Sequence, residues 1–162
     1  MRARVFQINI SHGGVPKKPV RAAAIKHRGV EGDSQSDTKN HGGVDRAVCL
    51  YSLERILALQ DEGHPAYPGA LGENITVAGL DWDEVKPGVK LRLGADALLE
   101  IVSYTAPCAK IKASFVGGLI GRLAQENHPG WARVYARVLK TGMVTTGASV
   151  EIVREEGARV PG

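Results

Sequence analysis

Cysteine is scarce in this chain. There are only two, Cys49 and Cys108, far apart among 162 residues. That leaves no Cys-x-x-Cys pair, and the five histidines are scattered with no His-x-x-x-His, so a zinc site has no ligand set to stand on. Iron–sulfur and haem attachment motifs are missing for the same reason. Aromatics make up only 5%. The core must therefore rest on Val, Leu, Ile and Ala, and little stacking surface is left for single-stranded nucleic acid. No apolar run approaches the ~20 residues needed to cross a bilayer. The start, MRARVFQINI, carries no secretory cleavage pattern. A reducing cytoplasm with free thiols is the expected setting. A Walker loop, a Gly-x-Gly-x-x-Gly turn and a Gly-x-Ser-x-Gly elbow are all absent, which removes the usual nucleotide-binding and α/β-hydrolase readings.

What is present is an ordinary globular composition, 43% hydrophobic and 23% charged, with a net charge of +4. The length suits one domain, with a core over about 3–153 and a loose tail over 154–162. The charge is compatible with an anionic small molecule, and no Lys/Arg block reads as a nucleic-acid tail. Twenty glycines and eight prolines fit many tight turns between short strands.

Period-2 patterning predicts strands at 3–10, 20–30, 47–52, 73–82, 86–94, 97–105 and 148–153. In 86–94, Val89, Leu91 and Leu93 alternate with Lys90 and Arg92. Residues 131–139 read as a strand or, on propensity, a helix; the β-branched spacing and the Thr141-Gly142 turn favour the strand. Ser52 is placed to cap one helix running to Gly63, with Leu53, Ile56 and Leu57 on its apolar face. Residues 109–127 hold a short helix or two, broken at Gly117-Gly118. Residues 31–46 form a long polar loop, a kind that usually carries function. Many strands with one clear helix point to a mainly β fold, an antiparallel sheet or barrel.

Cys108 is the residue most suited to chemistry. Pro107 fixes the backbone before it, a strong strand leads into it, and Lys110 and Lys112 follow with positive charge that favours a thiolate. A thiolate is the ligand a soft metal takes. A buried structural thiol is the alternative, and Cys49, among apolar neighbours, fits that description. In the polar loop, His41-Gly42-Gly43 can bring backbone N–H groups to an anion, or be a solvent-facing turn. Asp33, Asp37 and Asp45 share the loop but miss the calcium-loop template. Arg133 and Arg137 share a strand face with Tyr135, which suits either a phosphate or a solvated surface.

Several segments taken together resemble the MOSC family, named for the C-terminal domain of molybdenum-cofactor sulfurase. They are NISHGGVPKKPV (9–20), GVEGDSQSDTKNHGGVDRAVCLYS (29–52), GALGENITVAGL (69–80), PGVKLRLG (87–94), EIVSYTAPCAKI (100–111) and GWARVYARVLKTGMVTTGASVEIV (130–153). They span nearly the whole chain and are similar to the standalone bacterial branch that includes 6-N-hydroxylaminopurine-reductase-like proteins. The resemblance implies a distorted antiparallel β-barrel with a few short helices. It implies that Cys108 is the molybdenum ligand of a molybdenum–pterin cofactor. Lys17 or Lys18 matches a basic position near that cofactor. His41, Gly42, Gly43, Asp45, Arg46 and Asn74 match segments that line the pocket, and Arg133 and Arg137 join them as candidate phosphate contacts. The chain departs from the family at two turns, with Gly88-Val89 and Gly147-Ala148 where Gly-Asp is frequent.

The implied activity is reduction of an N-hydroxylated substrate, with electrons from a separate donor protein. The alternative is a cofactor or sulfur carrier using a Cys108 persulfide. Neither nucleic acid nor membrane is an expected partner.

Overall fold

The computed structural model describes residues 2–34 and 43–154. Along the chain come β1 (Arg4–Ile10), β2 (Lys18–Val20), β3 (Ala22–Lys26), β4 (Gly29–Val30), β5 (Val48–Ser52), the helix α1 (Leu53–Asp61) and β6 (Ile75–Ala78). Then follow β7 (Lys90–Leu93), β8 (Ala97–Tyr104), β9 (Val134–Lys140), β10 (Gly142–Thr145) and β11 (Val150–Val153). The alternation predicted at 86–94 becomes β7, with Leu91 and Leu93 fully buried. The ambiguous stretch at 131–139 becomes β9. Short 3-10 turns occupy Ala109–Ser114, Val116–Gly118 and Ile120–Leu123, where one or two helices are predicted.

Eight strands form one sheet in the order β11-β7-β8-β9-β5-β6-β1-β2, and β10-β3-β4 form a second. The expected barrel is not found, because neither sheet closes on itself. One bridge joins Arg4 to Ser149, and Val5 donates to Ala148 O at 2.8 Å. Pairing stops there because β6 takes one edge of β1 and β2 takes the other from Ile8 to Ile10. Nor is the large sheet wholly antiparallel. β5 and β6 run parallel, which requires a crossover between them, and α1 lies in that connection. β10 begins at Gly142, half of the Thr141-Gly142 turn read from sequence, and is not itself predicted; it pairs with β3 from Gly142↔Ile25 to Thr145↔Ala22. The two departures at family turns are accommodated, since Val89 N–H reaches Lys86 O at 3.1 Å and Ala148 N–H reaches Thr145 O at 3.0 Å.

The core is aliphatic, as the composition requires, with Ile8, Leu50, Ile75, Leu99 and Val134 fully buried. Two of its buried aromatics have their polar atoms satisfied. Tyr51 OH donates to Trp131 O at 2.7 Å, and Trp82 Nε1 donates to Ala132 O at 3.0 Å. On α1 the buried residues are Ile56 and Leu59, whereas Leu57 is 47% exposed. The apolar face is thus turned by about one position from the predicted one.

Residues 109–130 are anchored by Ile111, Phe115 and Leu123 in the core and joined to the end of α1 by charge. Arg122 donates to both carboxylate oxygens of Glu62 at 2.9 and 2.7 Å. The Trp131 ring takes the Arg122 guanidinium at 4.0 Å and that of Arg55 at 4.7 Å. Ser52 caps α1 as predicted, accepting from Arg55 N–H at 3.1 Å. Ser52→Ala is expected to lower the unfolding free energy by about 1 kcal/mol, measured by denaturant titration with an unchanged m-value.

Candidate functional site

The segments carrying the candidate residues converge at one end of the large sheet. Cys108 follows β8. Arg133 precedes β9, the antiparallel neighbour of β8, and Thr105 N–H donates to Arg133 O at 2.8 Å. This pairing brings the Cys108 loop and Arg133 together from distant parts of the sequence. Lys17 precedes β2, Asn74 precedes β6 and Cys49 lies in β5. All of these line one cavity with Tyr135, Lys110 and the Leu71-Gly72 turn, its water-accessible volume about 70 Å³. That is room for an oxyanion-sized group; the larger part of any cofactor would lie at the mouth.

Cys108 is half-buried on the cavity wall. Its carbonyl accepts from Ile111 N–H at 3.1 Å, which starts the 3-10 turn. Cys49 is the second thiol of the same cavity. Its sulfur lies 3.9 Å from Thr105 Oγ1, and burial pushes its thiol up from the ordinary range, so it stays protonated.

Arg133 is 5% exposed. Its guanidinium donates to two backbone carbonyls, Leu71 O at 2.6 Å and Ala106 O at 3.4 Å. Its Nε is buried with no partner, and among the described residues it forms no ion pair. Lys17 is also buried, but paired: Nζ lies 2.8 Å from Asp33 Oδ1 and 3.4 Å from Ser11 Oγ. Asp33 Oδ1 accepts Ser11 N–H at 2.9 Å, and Oδ2 accepts Asn74 Nδ2 at 3.0 Å. Asn74 Oδ1 in turn accepts Cys49 N–H at 3.0 Å. Tyr135 is buried beneath the Arg46 guanidinium, 5.5 Å from its ring centroid. Desolvation pushes the phenol up to about 12, so it carries its proton at neutral pH.

The other described candidates do not line the cavity. Lys18 is exposed, as are Gly43, Asp45 and Arg46. Arg137 does not act with Arg133; it pairs with Asp45 at 3.1 Å and Glu100 at 3.6 Å. Arg133 precedes the strand and turns into the cavity, while Arg137 lies further along β9, above Glu100 of β8. His41 and Gly42 lie outside the described residues, as does Asp37.

Sequence reasoning passed over the role of Asp33, weighing it only as a calcium ligand. The signal was Lys17 itself, since a buried lysine needs a carboxylate. It also passed over Glu73, which is fully buried between Gly72 and Asn74. Glu73 Oε2 accepts Gly69 N–H at 3.1 Å and Thr76 Oγ1 at 2.9 Å. The glycine at 69 is required there, because φ is +91° and a Cβ would strike Lys17 O.

Burial pushes the Glu73 carboxyl up from its usual range, outweighing these hydrogen bonds and the Arg133 charge. A carboxyl that holds its proton more tightly when folded lowers stability as pH rises from the unfolded value towards the folded one. Glu73→Gln is expected to flatten that part of the pH–stability curve, measured by thermal melts from pH 4 upward; an unchanged slope would show Glu73 ionised in the fold.

The model of the MOSC domain family matches residues 37–151. The chain is 35% identical over 142 residues to the uncharacterized protein YflK of Bacillus subtilis, covering 86% of this chain and 63% of that protein. It is 34% identical over 130 residues to the protein YiiM of Escherichia coli, covering 77% and 56%. A Gibberella moniliformis protein named Reductase is 31% identical over 130 residues, covering 77% of this chain and 22% of that one. Among solved structures, YiiM from Geobacillus stearothermophilus superposes with a TM-score of 0.71 at 26% identity, covering 94% of this chain and 75% of that chain. The chain therefore spans about three fifths of the length of these bacterial relatives. Sequence and fold agree, and the chain belongs to the MOSC family, whose domains are associated with the molybdenum cofactor.

Proposed function

We propose that this chain binds a molybdenum–pterin cofactor, with Cys108 as the protein's ligand to the metal, and acts as an oxidoreductase on N-hydroxylated compounds. The observation that carries this reading is the charge of the cavity. Arg133 is buried with an unused N–H and no carboxylate partner among the described residues. A buried cation left this way is costly, and an anion offsets the cost. A thiol on the same wall supplies what a soft metal takes.

The residues fit such a group. Among the described residues no three His, Cys, Asp or Glu side chains converge. A metal here would take one sulfur from the protein and its remaining donors from the cofactor. Arg133 and Lys17 would hold the anionic oxygens of the cofactor. Tyr135, kept neutral by burial, can donate a hydrogen bond without adding charge. When bound, the cofactor supplies two-electron reduction, taking an N-hydroxyl compound, two electrons and two protons to the amine and water.

With two cysteines and no haem or iron–sulfur motif in the sequence, the electrons would come from a separate donor protein. Purified cofactor-loaded protein is expected to show no turnover with NADH alone and to turn over once a reductase is added. Following NADH oxidation at fixed substrate checks this.

The deciding experiment is metal content by mass spectrometry, on protein expressed with molybdate in a host that makes the pterin. Near-stoichiometric molybdenum in the wild type should fall to background in Cys108→Ser, and reduction of a hydroxylaminopurine or amidoxime should be lost with it. Undiminished metal in the variant would mean the wrong ligand. Absence of metal from both proteins, with a persulfide mass on Cys108, would favour the sulfur-carrier alternative, which the half-buried position of Cys108 also permits.

A further inference from the structure

We propose that Asp33 is a positioning residue, holding the Lys17 ammonium as an anion donor at the cavity; this rests on the reading that the cavity takes an anionic group. An ammonium has three N–H donors. Two of Lys17's are accounted for by Asp33 Oδ1 at 2.8 Å and Ser11 Oγ at 3.4 Å. One remains for a ligand in the cavity that Lys17 lines.

Asp33 does not itself line the cavity, and its oxygens are taken. Oδ1 accepts Ser11 N–H and Lys17 Nζ, and Oδ2 accepts Asn74 Nδ2. These bonds leave it poorly placed to take a metal, and they fix it against β1, the turn before β2 and the start of β6. The Asn74 amide is held in turn by Cys49 N–H and Asn9 O. The carboxylate is therefore a fixed post to which a flexible four-carbon side chain is tethered.

Two effects of opposite sign follow from a carboxylate beside an anion site. As a charge, Asp33 repels the anion and its removal should tighten binding. As a post, it keeps a buried ammonium aimed at the cavity, and its removal should weaken binding. The burial decides between them. The Lys17 and Asp33 side chains are 9% and 6% exposed. An ammonium at that depth without its partner loses the group that holds it in place and swings out towards solvent. Positioning outweighs repulsion.

The test uses the apo chain labelled with ¹⁵N-lysine and titrated with inorganic phosphate by calorimetry. The Lys17 ammonium resonance, identified by its loss in Lys17→Met, should be protected from exchange in the wild type and vanish in Asp33→Asn. Lys17→Met and Asp33→Asn should each weaken phosphate binding by about tenfold, and the double variant should be no weaker than either. Asp33→Glu keeps the charge but moves it by one methylene. It should also weaken binding, and it decides the matter if Asp33→Asn does not fold.

Binding by Asp33→Asn as tight as wild type or tighter would overturn the proposal. So would an effect that adds in full to Lys17→Met, or an ammonium signal that survives in Asp33→Asn. A wild type that does not bind phosphate would count against the anionic cavity of the functional reading, while the ammonium signal still decides the role of Asp33.

Discussion

The site is organised around a guanidinium kept out of water. Arg133 reaches Leu71 O on one side and Ala106 O on the other, so one side chain joins the turn before β6 to the loop that carries Cys108. Its own backbone carbonyl accepts from Thr105, closing that loop onto β9. Desolvating a cation costs several kcal/mol unless other groups replace the lost water. Here two carbonyl dipoles replace part of it and leave an N–H over. The second buried cation, Lys17, is handled differently, by a full carboxylate. One neutralised cation and one left open give the cavity its net positive character.

The buried carboxyl behind it follows from the same arrangement. Glu73 does not line the cavity, whereas its neighbours Gly72 and Asn74 do. It anchors the Gly69 turn through a backbone N–H, and that turn packs against the chain at Lys17. Three consecutive residues thus divide the work. The glycine allows close approach, the acid holds the turn from behind, and the amide connects Asp33 to Cys49.

Much of this was legible in the sequence where local pattern decides. The strand with Leu91 and Leu93 and the cap at Ser52 follow from period and from hydroxyl chemistry. What escaped depends on long-range pairing. β10 gives no strand signal because its Gly142, Met143 and Thr145 show no apolar alternation, and it becomes a strand only because β3 lies beside it. The parallel contact of β5 with β6 is set by where α1 packs, which no window of sequence contains. Arg133 and Arg137 share a period but not a fate, since Glu100 on the neighbouring strand pairs with one and the cavity receives the other. Asp33 was visible as an acid in a polar loop; its pairing with Lys17 depends on the meeting of β1, β4 and β6.

The arginine clamp on Trp131 has an optical consequence. The chain has two tryptophans. Trp82 is buried edge-on to Tyr51, their centroids 5.9 Å apart. Trp131 is half-buried with two guanidinium groups over its ring, and its carbonyl is held by Tyr51. Only Ala132 separates it from Arg133. An indole's emission depends on the cations against it, so Trp131, two residues from Arg133, is a native fluorophore placed close in sequence to the cavity.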